Sequence, residues 1–180
     1  MRILTVRQPW AWAIIHGGKD IENRVRNVAG GYRGPVAIHV ARADAEAAPE
    51  SLWLQHSDWY RARTAQPKKF DPAWSDRGHI IGVVDLADVH DSAKCYDESI
   101  QHAVDLYRTD REAFDALPVR NGAGGLIARG GYCSEWAQDE AHHLVLANPR
   151  ALPEPIPYTG ALGLRGLDDD TIARINEGLS

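Results

Sequence analysis

The run His79-Ile80-Ile81-Gly82-Val83-Val84-Asp85-Leu86 is the strongest strand signal in the chain, and residues 79–90 are expected to form one β-strand. A strand needs partners, and the others do not arrive in a regular order. Residues 3–6, 21–26, 142–147 and 160–165 read as short strands. Residues 35–41 alternate cleanly, with Val36, Ile38 and Val40 on one face and Ala37, His39 and Ala41 on the other. Helices fall between them. Pro9 fits the first position of a helix that Gly17-Gly18 ends. Residues 45–63, restarting at Pro49, place Trp53, His56 and Tyr60 at helical spacing. Residues 96–116 read as a third helix, and Asp168-Asp169-Asp170 can cap a last one carrying Ile172, Ile175 and Leu179. Residues 66–78 and the glycine-rich 118–134 read as loops, and Pro149, Pro153, Pro155 and Pro157 as an extended, polyproline-like crossing. So irregular an order does not suggest a doubly wound βαβ sheet and predicts an α+β fold around a small mixed barrel.

A length of 180 residues favours one domain. With 44% hydrophobic and 25% charged residues the chain is too apolar to be disordered. It contains no run of 18 apolar residues, so no membrane-spanning helix is expected. Met1–Val6 passes at once into Arg7, unlike a signal peptide. Cys95 and Cys133 stand far apart without a CxxC partner, which argues against a disulfide scaffold and a structural zinc site. The expectation is a cytoplasmic protein with reduced thiols, no metal and no cofactor.

The net charge of −5 is unevenly spread. Residues 1–42 hold seven basic side chains against Asp20 and Glu22, a local +5, leaving −10 for the rest. A basic region on an acidic body can attract phosphate locally. It can equally be a solvated strand surface.

The densest candidate runs from Gln8-Pro9-Trp10 through Gly17-Gly18-Lys19-Asp20-Ile21-Glu22-Asn23-Arg24. Glu22 and Arg24 share a strand face, and Lys19 lies just beyond a glycine cap, so the three are expected to converge at the rim of a sheet. A carboxylate between two cations stays ionised and fixes their direction. Such a trio can bind a phosphate, or polarise a carbonyl beside a base. It can also be an ion pair that tidies a strand edge. Trp10 is expected in the core, with Trp12 flanking the cleft as a stacking plate. His39 has space beside it and can donate to a ligand or to a backbone carbonyl. Adjacent His142 and His143 diverge on a strand and cannot share a metal. Asp85, Asp88 and His90 hint at a metal-dependent nuclease, but carboxylates at strand ends are common. Lys68-Lys69, Arg61 and Arg63 read as solvated, and Ser134-Glu135-Trp136 as a plain loop.

Gly17-x-Lys19-x-x-Glu22-x-Arg24 resembles the GxKxxExR motif of the activating signal co-integrator homology (ASCH) family. Leu4–Ala11 resembles that family's opening strand and helix, and Gly34–His39 its next strand. Leu144–Leu146, Leu152–Pro157 and Gly160–Leu164 resemble its closing strands. The resemblance implies a PUA-like fold, a mixed β-barrel with peripheral helices, as one domain over 1–180 with a core at 3–165 and a C-terminal helix at 168–180. It implies binding of RNA, or of a single-stranded or modified nucleotide, single-stranded DNA included. Gln8, Trp12, Lys19, Glu22, Arg24 and His39 would line the cleft. The rival readings are a small hydrolase, amidohydrolase or nuclease, in which Lys19 and Glu22 act on water, and a protein-interaction module. Amidohydrolases of this fold carry a threonine nucleophile three residues after the lysine, and here that position is Glu22. Gly163-Leu164-Arg165 and His142-His143 also lack tryptophans the family often carries there.

Overall fold

The structure is a computed structural model, which describes residues 1–63 and 75–180. Most of the expected loop at 66–78, with Lys68-Lys69 and Trp74, lies outside the described residues. The chain forms two compact units, one of Met1–Lys19, Gly31–Leu86 and Leu146–Ser180, the other of Asp20–Gly30 and Ala87–Val145. The fold is α+β, with eight strands and five α-helices among the described residues.

The first unit is built on β1 (Arg2–Val6) and β3 (Gly34–Val40), a parallel pair in which Leu4 faces Ile38 and Thr5 faces His39. β4 (His79–Asp91) adds to β3 antiparallel, with a register irregularity at Ile38/His39. β8 (Leu164–Gly166) closes the other side of β1, again antiparallel. One parallel pair among antiparallel ones makes the sheet mixed. The core joins Ile3, Ala37, Ile80, Val83, Leu152, Ile156 and Ile175. Ile175 comes from α5 (Asp169–Gly178), whose start is capped as expected: the Asp168 carboxylate accepts the Thr171 N–H at 2.8 Å. α1 (Trp10–His16) and α2 (Glu50–Arg63) complete the unit, α2 burying Leu52, His56 and Tyr60, four residues apart each time.

The proline-rich segment is not a polyproline crossing. It continues the strand before it, giving a 16-residue β7 (His142–Pro157). Successive N–H groups of a strand point to alternate edges, so Pro153, Pro155 and Pro157 all lack theirs on one edge and leave the other free to pair.

In the second unit, β2 (Ile21–Arg24) pairs antiparallel with the start of β7, Ile21 opposite Val145 and Arg24 opposite His142. β2 stops two residues earlier than expected because Asn27 turns the chain: its Oδ1 accepts the N–H groups of Ala29 and Gly30 at 3.0 and 2.8 Å. The expected helix at 96–116 is two helices, α3 (Ser92–Thr109) and α4 (Arg111–Ala116). Asp110 makes the break, leaving helical φ/ψ and capping α4 through the Ala113 N–H at 3.0 Å. The glycine-rich 118–134 is not all loop. It contains the hairpin of β5 (Val119–Asn121) and β6 (Ile127–Arg129). This unit's core is small: Ile21, Cys95, Tyr132 and Ala137. No helix among the described residues is long and apolar enough to cross a membrane.

Candidate functional site

The stretch Gly17–Arg24 is divided between the units. In the first, Gly17 ends α1, and a Cβ there would lie 2.9 Å from the Ala13 Cα and 3.0 Å from the Trp12 ring. Gly18 follows with φ +72°, which favours glycine. The chain doubles back, and the Lys19 N–H reaches the Ala13 carbonyl at 3.0 Å. The Lys19 ammonium lies 5.5 Å from the centroid of the Trp10 ring, in cation–π range, and the residue is only 4% exposed. Lys19 is therefore buried rather than at a solvated rim.

The two tryptophans exchange their expected places. Trp10, at the start of α1, is half-buried, while Trp12 lies in the core with Ala11, Ala13, Ile14 and Ile15. The Trp12 ring meets His56 edge-on at 6.0 Å. Burial of the imidazoles lowers the pKa of both His56 and His16 to about 4. Arg77 adds to the effect at His56 against an opposing Asp44, and Arg63 adds to it at His16.

Gln8 is fully buried and hydrogen-bonded at both ends of its amide. Its Oε1 accepts the Trp12 N–H at 2.9 Å, and its Nε2 donates to the Ser75 carbonyl at 2.9 Å and to the Tyr60 hydroxyl at 3.3 Å. His39 takes the backbone role of the two weighed for it. Its Nε2 lies 3.1 Å from the Tyr158 carbonyl and its Nδ1 3.2 Å from the Thr5 hydroxyl, while burial lowers its pKa. Gly160 packs so closely that a Cβ there would come within 2.4 Å of the His39 ring. A hollow of about 500 Å³ opens nearby, lined by Arg42, Arg77, Gly78 and Tyr158. Arg77 is turned toward Asp44, with Nε donating at 3.0 Å.

In the second unit, alternation along β2 puts Glu22 and Arg24 on one face as expected. They form an ion pair of 2.9 Å, with Glu22 buried and the Arg24 side chain 28% exposed. Asn23 is anchored elsewhere, donating to the Trp136 carbonyl at 2.8 Å and accepting the Gln138 N–H at 3.0 Å. The carboxylate thus aims a guanidinium that retains solvent access.

Sequence reasoning missed a second cluster in this unit. Ring or sulfur atoms of His90, Cys95, Cys133 and His143 all lie within 4.8 Å of one another. The two cysteines are 38 residues apart in sequence yet adjacent in space, the Cys133 N–H donating to the Cys95 sulfur at 3.2 Å. His142 and His143 do diverge: His142 approaches Asp91 at 4.0 Å, and His143 alone reaches the cluster. Asp85, in the first unit, accepts from Asn148 and Arg150, and Asp88, in the second, pairs with His90.

The sequence matches the ASCH domain family over residues 4–154. Two similar solved structures are a point mutant of ZmASCH from Zymomonas mobilis, at 12% identity and TM-score 0.47 over 99% of this chain and 98% of that one, and ASCH from the same organism, at 13% and 0.43 over 99% and 95%. No curated protein matches the chain in sequence.

Proposed function

The chain belongs to the ASCH family, and on that premise we propose that it binds RNA, or a single-stranded or modified nucleotide, with Arg24 as a recognition group. The observation that carries this reading is the Glu22–Arg24 pair. Its carboxylate is buried and its guanidinium part-exposed, so the cation is fixed in direction and keeps a solvent-accessible edge that a phosphate or a base oxygen can approach. Arg26, exposed two residues on, adds local positive charge. In the first unit, Arg42 and Tyr158 border a hollow, a cation and an aromatic residue of the kinds that single-strand binders combine.

Few cations are involved, so binding is weak and salt-dependent. Fluorescence titration of a short single-stranded RNA, with single-stranded DNA of the same sequence in parallel, tests this at low and moderate salt. Affinity should be measurable at low salt and fall as salt rises. Undetectable affinity at low salt removes the reading.

A hydrolase would instead turn its substrate over, and the binding reading expects no turnover. With Glu22 where the acylated-nucleoside enzymes carry threonine, no appreciable acetate should be released from N4-acetylcytidine. Robust turnover abolished by Lys19→Ala would make the chain an enzyme with water as nucleophile.

A further inference from the structure

We infer that the second unit carries a structural zinc site formed by His90 Nε2, Cys95 Sγ, Cys133 Sγ and His143 Nδ1. A tetrahedral zinc with sulfur at about 2.3 Å and nitrogen at about 2.0–2.1 Å sets its donors about 3.3–3.8 Å from one another. Two donor pairs already have that spacing: His90 Nε2 to Cys133 Sγ is 3.4 Å and Cys133 Sγ to His143 Nδ1 is 3.5 Å. All four lie within 4.8 Å of one another, a small contraction from a closed shell.

The imidazoles are oriented as ligands by what their other nitrogens do. His90 Nδ1 lies 2.9 Å from an Asp88 carboxylate oxygen, and His143 Nε2 lies 2.8 Å from the Gln138 carbonyl. Both outer partners are acceptors, so those nitrogens carry the protons. The nitrogens turned toward the cysteines are left with their lone pairs. Carboxylate and carbonyl partners of this kind fix the tautomer and ring direction of metal-bound histidines. The Cys133 N–H aimed at the Cys95 sulfur similarly suits a thiolate acceptor. Two unrelated ring orientations and one amide therefore agree on a single point between four donors.

Two sulfurs and two imidazoles in a tetrahedron favour zinc among the divalent metals, and four protein ligands leave no open position for catalysis. Binding takes one zinc ion, forms four bonds and releases the two thiol protons, leaving a site of zero net charge. A hollow of about 320 Å³ lined by Asp88, Lys94 and Glu98 beside the ligands gives the ion an entry path. The ligands come from the end of β4, the first turns of α3, the turn after β6 and the start of β7. One ion would tie these four segments together in a unit whose core is small.

The test uses the full chain, stripped with chelator under reducing conditions, checked for folding by circular dichroism, and titrated with cobalt and then zinc. The expected result is one metal per chain, with the intense visible bands of tetrahedral cobalt and a sulfur-to-cobalt charge-transfer band that zinc abolishes. Zinc should also raise the thermal midpoint. Cys133→Ser, at the exposed ligand, should weaken zinc binding at least tenfold and reduce the charge-transfer band. The proposal is overturned if the reduced wild-type chain binds no stoichiometric metal. It is equally overturned by a weak octahedral cobalt spectrum, or by zinc binding that survives both Cys133→Ser and Cys95→Ser unchanged. Loss of folding in a variant leaves the wild-type titration to decide.

Discussion

Gln8→Ala is expected to destabilise the protein by about 4 kcal/mol, lowering its thermal midpoint by about 10 °C. Gln8 stands two residues before α1 and is fully buried. The first N–H groups of a helix have no partner inside it. Here Ala11 reaches the Arg7 carbonyl at 3.1 Å and Ala13 the Pro9 carbonyl at 2.9 Å, and the Gln8 side chain serves Trp12 between them. Truncation strands the Trp12 N–H and the Ser75 carbonyl away from water. Each such group costs about 1–3 kcal/mol, to which the cavity adds. Gln8→Met separates these effects, since it keeps most of the volume and loses the hydrogen bonds. It should recover the cavity part only. Urea unfolding measures both variants, and a loss below about 0.5 kcal/mol for Gln8→Ala contradicts the role given to this side chain.

Acidification from pH 6.5 toward pH 5 is expected to remove about 2–3 kcal/mol of stability, before most carboxylates titrate. His16 and His56 have pKa values of about 4 in the fold against an ordinary 6.5. Between those values the unfolded chain binds more protons than the folded one, so stability is complete above pH 6.5 and declines as pH falls toward 4. The limit is about 1.4 kcal/mol per pH unit for each group, and the part-exposed His16 contributes less than the enclosed His56. Asp76 works in the opposite direction at the acid end, because burial raises its pKa despite the 2.7 Å hydrogen bond from Tyr60. His56→Phe keeps an aromatic ring among Trp12, Trp53 and Tyr60 and removes one titrating group. Its stability should therefore fall less steeply with acid in the same unfolding series. An unchanged slope would mean that His56 is not the group responsible.

Patterns local in sequence were legible. The alternation at 35–41, the aspartates before α5 and the glycine cap after α1 each specify their element through a few neighbouring residues. The pairing of Glu22 with Arg24 also follows from strand alternation alone. What failed needed information from afar. Lys19 and Glu22 read as rim charges because nothing in an eight-residue window says how much chain will cover them, and both are buried. Trp10 and Trp12 differ by two positions on a helix only seven residues long, so a small rotation decides which is enclosed. The prolines of β7 read as a polyproline-like crossing until their every-second spacing is set beside a single available edge. That Cys95 and Cys133 come together with two histidines was equally illegible, because ligand spacings are recognised between residues close in sequence. Here a His-x4-Cys segment meets a Cys-x9-His segment across the intervening α3, α4 and hairpin.

Recognition through Arg24 is tested by the affinity of a short single-stranded RNA for the wild-type chain, Arg24→Ala and Arg24→Lys at one low salt concentration, with the folded fraction of each determined alongside. Arg24→Ala should bind at least tenfold more weakly per folded molecule, as for a lost charge-assisted hydrogen bond of about 1.5–3 kcal/mol. Arg24→Lys should fall between, because lysine restores charge without the planar fork that Glu22 orients. A recognition role for Arg24 is contradicted if Arg24→Ala binds as the wild type does, or if it unfolds the chain while binding per folded molecule is unchanged, which would make the Glu22–Arg24 pair a structural brace.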